Sequence, residues 1–209
     1  MTWTLNNYDR LLAALAEHVS MVSIALAISL AVAAPLGIWS ARHPRVYAIT
    51  MAVTGILYTI PTLALFALLI PFMGLGTAPA VTALVLYSLL ILVRNIATGL
   101  REIPHEIVEA ADGMGFSPTQ RLVRIELPLA LPVIVAGVRI TLVTQISVAT
   151  VAAYISAGGL GDIIFQGITQ DISEKVVIGA VVASILAVIA DGGLRLLEWR
   201  LRMAYAEQA

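Results

Sequence analysis

The sequence predicts an all-α membrane protein with five transmembrane helices. Of its 209 residues, 60% are hydrophobic and only 12% are charged, about half the charged share of a typical globular protein. Residues 19–41 contain no charged side chain, and neither do residues 46–93. Because a helix needs about 20 apolar residues to cross the hydrocarbon core, these two runs alone require more than one span.

The longer run must contain two spans. As one helix, residues 46–93 would extend for about 72 Å, whereas the hydrocarbon core is about 30 Å thick. The segment Pro71-Phe-Met-Gly-Leu-Gly-Thr-Ala-Pro79 is rich in proline and glycine and is expected to separate the two spans. The predicted spans are residues 19–41, 48–70, 79–98, 130–156 and 176–197.

Basic residues predict the orientation of these spans. Nine of the twelve Lys and Arg residues lie in or beside the connections that follow spans one, three and five, and such residues concentrate on the cytoplasmic side. This places residues 1–18 outside the cell, and it places the loop 99–128 and the tail 199–209 in the cytoplasm. Residues 1–18 are polar, so we expect the first run to be a retained span and not a cleaved signal peptide.

The loop 99–128 carries the signals of two short helices. Pro104 suits the first turn of a helix, and Gly113 and Gly115 favour its end. Ser117-Pro-Thr-Gln120 has the pattern of a capping box that starts a second helix, and Leu127-Pro128 is expected to end it. On the residues alone, this loop is either a solvated connector or a surface that docks a partner.

A signature in the same loop favours the second interpretation. Glu109-Ala-Ala is followed after three residues by Gly115, after nine more by Ile125, and then by Leu127-Pro128. This pattern resembles the EAA loop of ABC importer permeases. The resemblance implies a type I ABC importer (MetI-like) fold, in which the loop inserts into a cleft of a separate ATPase subunit. The implied contact core is Glu109, Ala110, Ala111 and Gly115, and the motif is completed by Ile125, Leu127 and Pro128.

Further segments extend the resemblance to roughly residues 19–197. Thr59-Ile-Pro-Thr-Leu-Ala-Leu65, Leu86-Tyr-Ser-Leu-Leu90, Arg94-Asn95 and Ala157-Gly-Gly-Leu-Gly161 are similar to glycine betaine/carnitine/choline (osmoprotectant) permeases. The resemblance implies a cell-membrane permease that works with an ATPase, a second permease copy or paralogue, and an extracytoplasmic solute-binding protein. Methionine-type permeases share the Gly-Gly-Leu-Gly turn, so an amino-acid importer is an alternative, and a small helical channel is a more distant one.

The sequence shows no nucleotide-binding or catalytic machinery. A P-loop requires Gly-x-x-x-x-Gly-Lys followed by Ser or Thr, and the only lysine is Lys175, in Ser-Glu-Lys-Val. We therefore expect no cofactor on this chain and no enzymatic activity, with ATP and Mg²⁺ on the partner. His105-Glu106-x-x-Glu109 lacks the second histidine of a helical zinc site, so no metal site is predicted. A net charge of −1 gives no footprint for nucleic acid.

Polar residues of the fourth span suggest a translocation path. Arg139, Thr150 and Tyr154 fall on one arc of the helix, and Thr141 and Gln145 lie on the opposite side. Polar groups in a membrane usually face the bundle or a water-filled cavity, and helix–helix hydrogen bonding is the alternative. Arg139 is expected to pair with a carboxylate of span five at similar depth, Asp191.

Proline, tyrosine and glycine residues supply the other candidates for a path or gate. Pro61, preceded by Tyr58, interrupts helical hydrogen bonding in span two, and the glycines after span four form a tight outer turn. Only 6% of the residues are aromatic, so selectivity is expected to rest mostly on the separate binding protein. The path and gate candidates are Tyr58, Pro61, Tyr87, Arg139, Thr150, Tyr154, Gly158, Gly159 and Gly161.

Overall fold

A computed structural model describes residues 2–206, and all regular structure in that range is helical. Met1 and the last residues of the predicted tail, 207–209, lie outside the described residues. The α-helices are α1 (Thr2–Asn6), α2 (Tyr8–Arg42), α3 (Pro44–Thr59), α4 (Thr62–Met73), α5 (Thr77–Arg101), α6 (His105–Gly113), α7 (Pro118–Arg121), α8 (Leu127–Val151), α9 (Leu160–Thr169) and α10 (Ser173–Ala206).

Four of the helical segments are long and apolar enough to cross a membrane. They are α2, α5, the continuous stretch Pro118–Ile155 that contains α8, and α10 up to Leu201. The pair α3 and α4 passes the same test together, although the two helices meet at an angle of 98°. When this pair is counted as one broken span, the prediction of an all-α protein with five spans is confirmed.

The break in span two lies at Pro61, inside the predicted span 48–70. Ile60 is extended, with ψ of 126°, as expected for a residue before proline, because the proline ring disfavours the helical conformation there. Pro35 has no such effect, since α2 continues through it. One missing amide hydrogen bond is tolerated in a transmembrane helix when neighbouring groups compensate for it.

Small residues bring α2 close to α5. Ala25, Ser29, Ala33 and Gly37 recur at four-residue spacing along the buried face of α2. A Cβ atom on Gly37 would lie 2.6 Å from Cγ2 of Ile96 on α5, so the approach depends on the missing side chain. Such small-residue stripes are typical of transmembrane helix pairs, where packing and not water exclusion drives association.

Three details differ from the sequence prediction. Leu127-Pro128 does not end a helix, because α7 continues through a π-helical segment, Leu122–Glu126, directly into α8. In that segment the amide of Leu127 donates to the carbonyl of Leu122, and this wider turn accommodates the proline ring that follows. Pro104 caps α6 and does not occupy its first turn. The structure also adds α9, which the hydropathy pattern did not indicate.

Candidate functional sites: a two-helix loop and a cavity at the broken span

The loop 99–128 folds into two helices joined by a glycine turn. The helix α6 ends at Gly113, and Gly115 adopts φ of +81°, a conformation that favours glycine. The predicted capping box is confirmed: the Ser117 hydroxyl accepts from the Gln120 amide at 3.3 Å, and the Gln120 side chain accepts from the Ser117 amide at 2.9 Å. The loop therefore has a defined shape that is set by its own sequence.

A chain of charged side chains fastens this loop to the membrane helices. Arg121 donates from Nη1 to Asp112 at 2.5 Å and from Nε to Oε1 of Glu126 at 2.7 Å. Glu126 also accepts from Arg42 at the end of α2. The side chain of Glu126 is 2% exposed, and both of its carboxylate oxygens accept from these two arginines. These contacts link α6 to the end of α2 through Arg121 and Glu126.

Sequence reasoning missed this role of Glu126. The signal available was a lone carboxylate between Ile125 and Leu127, at the edge of an apolar run. Its two partners could not be inferred, because one of them, Arg42, lies 84 residues away along the chain.

The signature residues divide between the surface and the interior of the loop. Glu109 and Ala110 are exposed on α6, and Met114 is 68% exposed. Ala111 is 0% exposed, so it cannot belong to an outward contact surface in this conformation. Gly115 is exposed as well. The remaining members of the motif, Ile125, Leu127 and Pro128, are partly buried.

The break in span two opens a cavity of about 300 Å³. Tyr58 and Pro61 line it from the broken span, together with Tyr87 from α5 and Thr144 from α8. The Tyr87 hydroxyl donates to the carbonyl of Ile60 at 2.6 Å, which satisfies a backbone group next to the break. The rings of Tyr58 and Tyr87 meet edge to face, with centroids 5.8 Å apart and an interplanar angle of 84°. The structure thus brings together three of the predicted path residues, Tyr58, Pro61 and Tyr87.

A buried polar cluster lies beside this cavity. The Gln145 amide nitrogen donates to the hydroxyls of Ser88 at 2.7 Å and Ser29 at 3.3 Å. Thr141, which is also buried, lines the same small gap as Gln145. The side of α8 that the sequence set opposite to the path is therefore the side that faces α2 and α5. Ser29 and Ser88 are isolated hydroxyl residues within the apolar runs of α2 and α5, which was the signal available in the sequence.

The other path candidates of the predicted fourth span lie away from the cavity at the broken span. Arg139 pairs with Asp191 at 3.5 Å, as predicted, and also lies 3.7 Å from Glu198. Thr150 lines a groove between α8 and α10. Tyr154 lies in the 3₁₀ turn Ala152–Ile155 that follows α8, and its ring packs against Phe165 of α9 with centroids 4.5 Å apart and an interplanar angle of 55°. The arc that was predicted as one path therefore does not line the cavity at the broken span.

The glycine turn after span four packs against the N-terminal part of α2. Gly158 and Gly159 have φ of +79° and +77°, and the Gly159 amide donates to the Glu17 carboxylate at 3.0 Å. Burial raises the pKa of the nearby Asp162 carboxyl, and Glu17 adds to this effect while Arg10 opposes it. The role of Gly158, Gly159 and Gly161 as an outer gate stays a prediction.

Within residues 2–206, no three acidic or histidine side chains are grouped to hold a metal ion.

The broken span, the buried polar cluster and the exposed two-helix loop define a helical, multi-pass membrane transport subunit. Residues 33–203 match the family model described as "Binding-protein-dependent transport system inner membrane component". Because this match covers most of the chain, the protein belongs to that family.

Individual relatives agree with this assignment. The "Carnitine transport permease protein OpuCB" of Listeria monocytogenes is 39% identical over 201 residues, which cover 96% of this chain and 92% of that protein. The "Choline transport system permease protein OpuBB" of Bacillus subtilis is 38% identical over 188 residues, or 90% and 87% of the two chains. An inward-facing MetNI methionine ABC transporter has a TM-score of 0.82 at 23% identity, over 91% of this chain and 95% of that one. The resemblance to osmoprotectant permeases and the MetI-like fold are thus confirmed.

Proposed function

We propose that this chain is the membrane-spanning subunit of an ATP-driven importer for osmoprotectants such as glycine betaine, choline or carnitine. It resides in the cytoplasmic membrane with its N-terminus outside and its C-terminus inside. The names of the carnitine and choline permeases to which it is 38–39% identical support the substrate class. The methionine transporter supports the fold alone, because it is only 23% identical.

The single observation that carries this proposal is the loop held by Glu126. It is amphipathic, it is joined to spans at both ends, and it leaves Glu109, Ala110 and Met114 exposed. Exposed apolar side chains on an ordered loop are typical of a partner-binding surface. We propose that this surface docks on an ATPase subunit that binds ATP and Mg²⁺, while Ala111 packs behind it.

The docked loop converts closure of the ATPase into movement of the spans. The salt bridges from Asp112 through Arg121 and Glu126 to Arg42 give a stiff connection from α6 to α2. Rigid-body movement of packed helices is a common form of such a transition. Five spans are too few to enclose a path, so a second permease copy or a paralogue completes it. A separate extracytoplasmic binding protein delivers the solute.

Uptake into proteoliposomes tests the substrate class. The permease is reconstituted with its ATPase subunit and its binding protein. ATP is supplied on the side of the vesicle membrane that the ATPase subunit faces. We expect ATP-dependent accumulation of radiolabelled glycine betaine, choline or carnitine, and no accumulation of methionine. A non-hydrolysable ATP analogue serves as the control and should abolish uptake. Accumulation of methionine alone would contradict the proposed substrate class and favour the amino-acid importer.

A further inference from the structure

We infer that the cavity at the broken span is a transient contact site for the quaternary ammonium group of the solute, formed by the ring of Tyr58, which Tyr87 supports. The inference rests on the proposed import of such solutes. It adds where in the membrane subunit the cationic group binds, and that it binds by attraction to an aromatic ring face.

The cavity adjoins a break in the backbone of a membrane-spanning segment. The chain bends by 98° between α3 and α4, inside a segment that is otherwise apolar enough to span the membrane. Irregular backbone at membrane depth occurs only where it is buried in protein or lines a water-filled cavity. The Tyr87 hydroxyl satisfies the carbonyl of Ile60 at 2.6 Å, and the space of about 300 Å³ adjoins this break. The space therefore lies beside irregular backbone within a span, the kind of backbone that is tolerated where it lines a cavity.

The walls of the cavity suit a compact organic cation. Tyr58, which is 43% exposed, supplies the accessible aromatic ring of the lining. Tyr87, which is 6% exposed, packs against it edge to face with centroids 5.8 Å apart and so holds it in place. The remaining polar groups of the lining are hydroxyls, from Thr59, Thr62 and Thr144, and none of the lining residues carries a charge. Aromatic ring faces attract quaternary ammonium groups through the ring quadrupole. A volume of about 300 Å³ lies at the small end of ligand pockets.

The absence of charge from this lining fits a site that releases its solute during transport better than a site that binds it tightly. A carboxylate would hold the cation strongly in a low-dielectric setting, whereas conduction requires sites weak enough for release. The two tyrosines have different tasks. The ring of Tyr87 is fixed by its hydroxyl bond to the backbone, and Tyr58 is 43% exposed. Tyr58 is therefore the residue whose ring can be altered without loss of a structural bond.

The test alters the electron density of the ring at position 58 in the complete transporter. Phenylalanine and a series of increasingly fluorinated phenylalanines replace Tyr58, and choline uptake is measured in proteoliposomes. Tyr58→Phe, which keeps the ring and removes the hydroxyl, is the reference of the series, and we expect kcat/KM to fall stepwise below that reference as fluorines weaken the negative ring face. Tyr58→Leu should lower kcat/KM by about 2- to 30-fold. The affinity of the separate binding protein for choline should not change.

Phe72 offers a matched control on the same broken span. It is 87% exposed and does not line the cavity, so the same fluorinated series at position 72 should leave uptake unchanged. A flat response at position 58, or equal responses at positions 58 and 72, would overturn the aromatic contact site. The wild-type measurement separates the two proposals, because a complex that takes up no quaternary ammonium solute contradicts the proposed function itself.

Discussion

Replacing Glu126 with alanine is expected to abolish ATP-driven uptake and to lower the free energy of unfolding by about 1–3 kcal/mol. Neither arginine partner is left buried without compensation, because Arg42 is 38% exposed and Arg121, although only 15% exposed, keeps its bond to Asp112. The expected loss is therefore smaller than the roughly 3–5 kcal/mol that an uncompensated buried charge costs. Uptake fails for a separate reason: the docked loop loses its connection to α2.

Two further variants separate the loss of stability from the loss of coupling. Glu126→Gln keeps the shape and the accepting oxygen but removes the charge, so we expect an intermediate loss of stability with uptake still strongly reduced. Glu102→Ala removes an exposed carboxylate at the end of α5 and should change the free energy of unfolding by less than about 0.5 kcal/mol. Denaturation in detergent and uptake in proteoliposomes are the two measurements. Wild-type uptake by Glu126→Ala would show that the loop does not act through this residue.

Replacing Gly161 with alanine is expected to lower the free energy of unfolding by about 1–3 kcal/mol or more. A Cβ atom at this position would lie 2.1 Å from the backbone oxygen of Thr150. A side chain could rotate away from such a contact, but a backbone carbonyl at the end of α8 cannot, so α9 must shift outward. The measurement is thermal or chemical unfolding of the purified permease complex in detergent.

Gly193 is the matched control for this substitution. Nothing lies within 4 Å of a Cβ atom at Gly193, which is inside α10. Gly193→Ala should therefore not destabilise the protein, and the higher helix propensity of alanine favours a gain of up to about 1 kcal/mol. Equal stability of Gly161→Ala and Gly193→Ala would contradict the close approach of α9 to α8. In that case close packing would not explain why position 161 is a glycine, and the predicted role in gating would be the remaining explanation.

The sequence was most informative where the required signals are local. Charge-free runs predicted the spans because transfer of charge into lipid is unfavourable, and Ser117 with Gln120 predicted a capping box because its partners are three residues apart. The pairing of Arg139 with Asp191 was also accessible, since both are rare charges in spans predicted to lie at similar depth. The signature from Glu109 to Pro128 then identified the family directly.

The sequence was least informative where distant segments meet. Nothing local to Glu126 specifies Arg42 as its partner, and nothing local to Gln145 specifies Ser29 and Ser88. The arc through Arg139 faces α10 because of how the helices pack, and helical periodicity alone cannot choose which face of α8 lines a cavity. Pro61 and Pro35 also looked alike in sequence, yet only Pro61 breaks its span, because the surrounding helices decide whether a kink is compensated.

The proposed mechanism requires the loop 99–128 to lie in the cytoplasm and to contact a separate ATPase subunit. The chain contains no cysteine, so a single introduced cysteine is the only thiol that a membrane-impermeant maleimide can label. Ala110→Cys places this thiol on the exposed face of α6. Thr169→Cys, on the exposed end of α9, is the matched control for the opposite side of the membrane.

The decisive measurement is maleimide labelling of Ala110→Cys in sealed vesicles of both orientations, with and without the ATPase subunit. We predict labelling only in inside-out vesicles, and loss of that labelling when the ATPase is bound. Thr169→Cys should be labelled only in right-side-out vesicles and should not respond to the ATPase. Labelling of Ala110→Cys from the outside, or labelling that the bound ATPase leaves unchanged, would show that this loop is not the cytoplasmic docking surface for the ATPase.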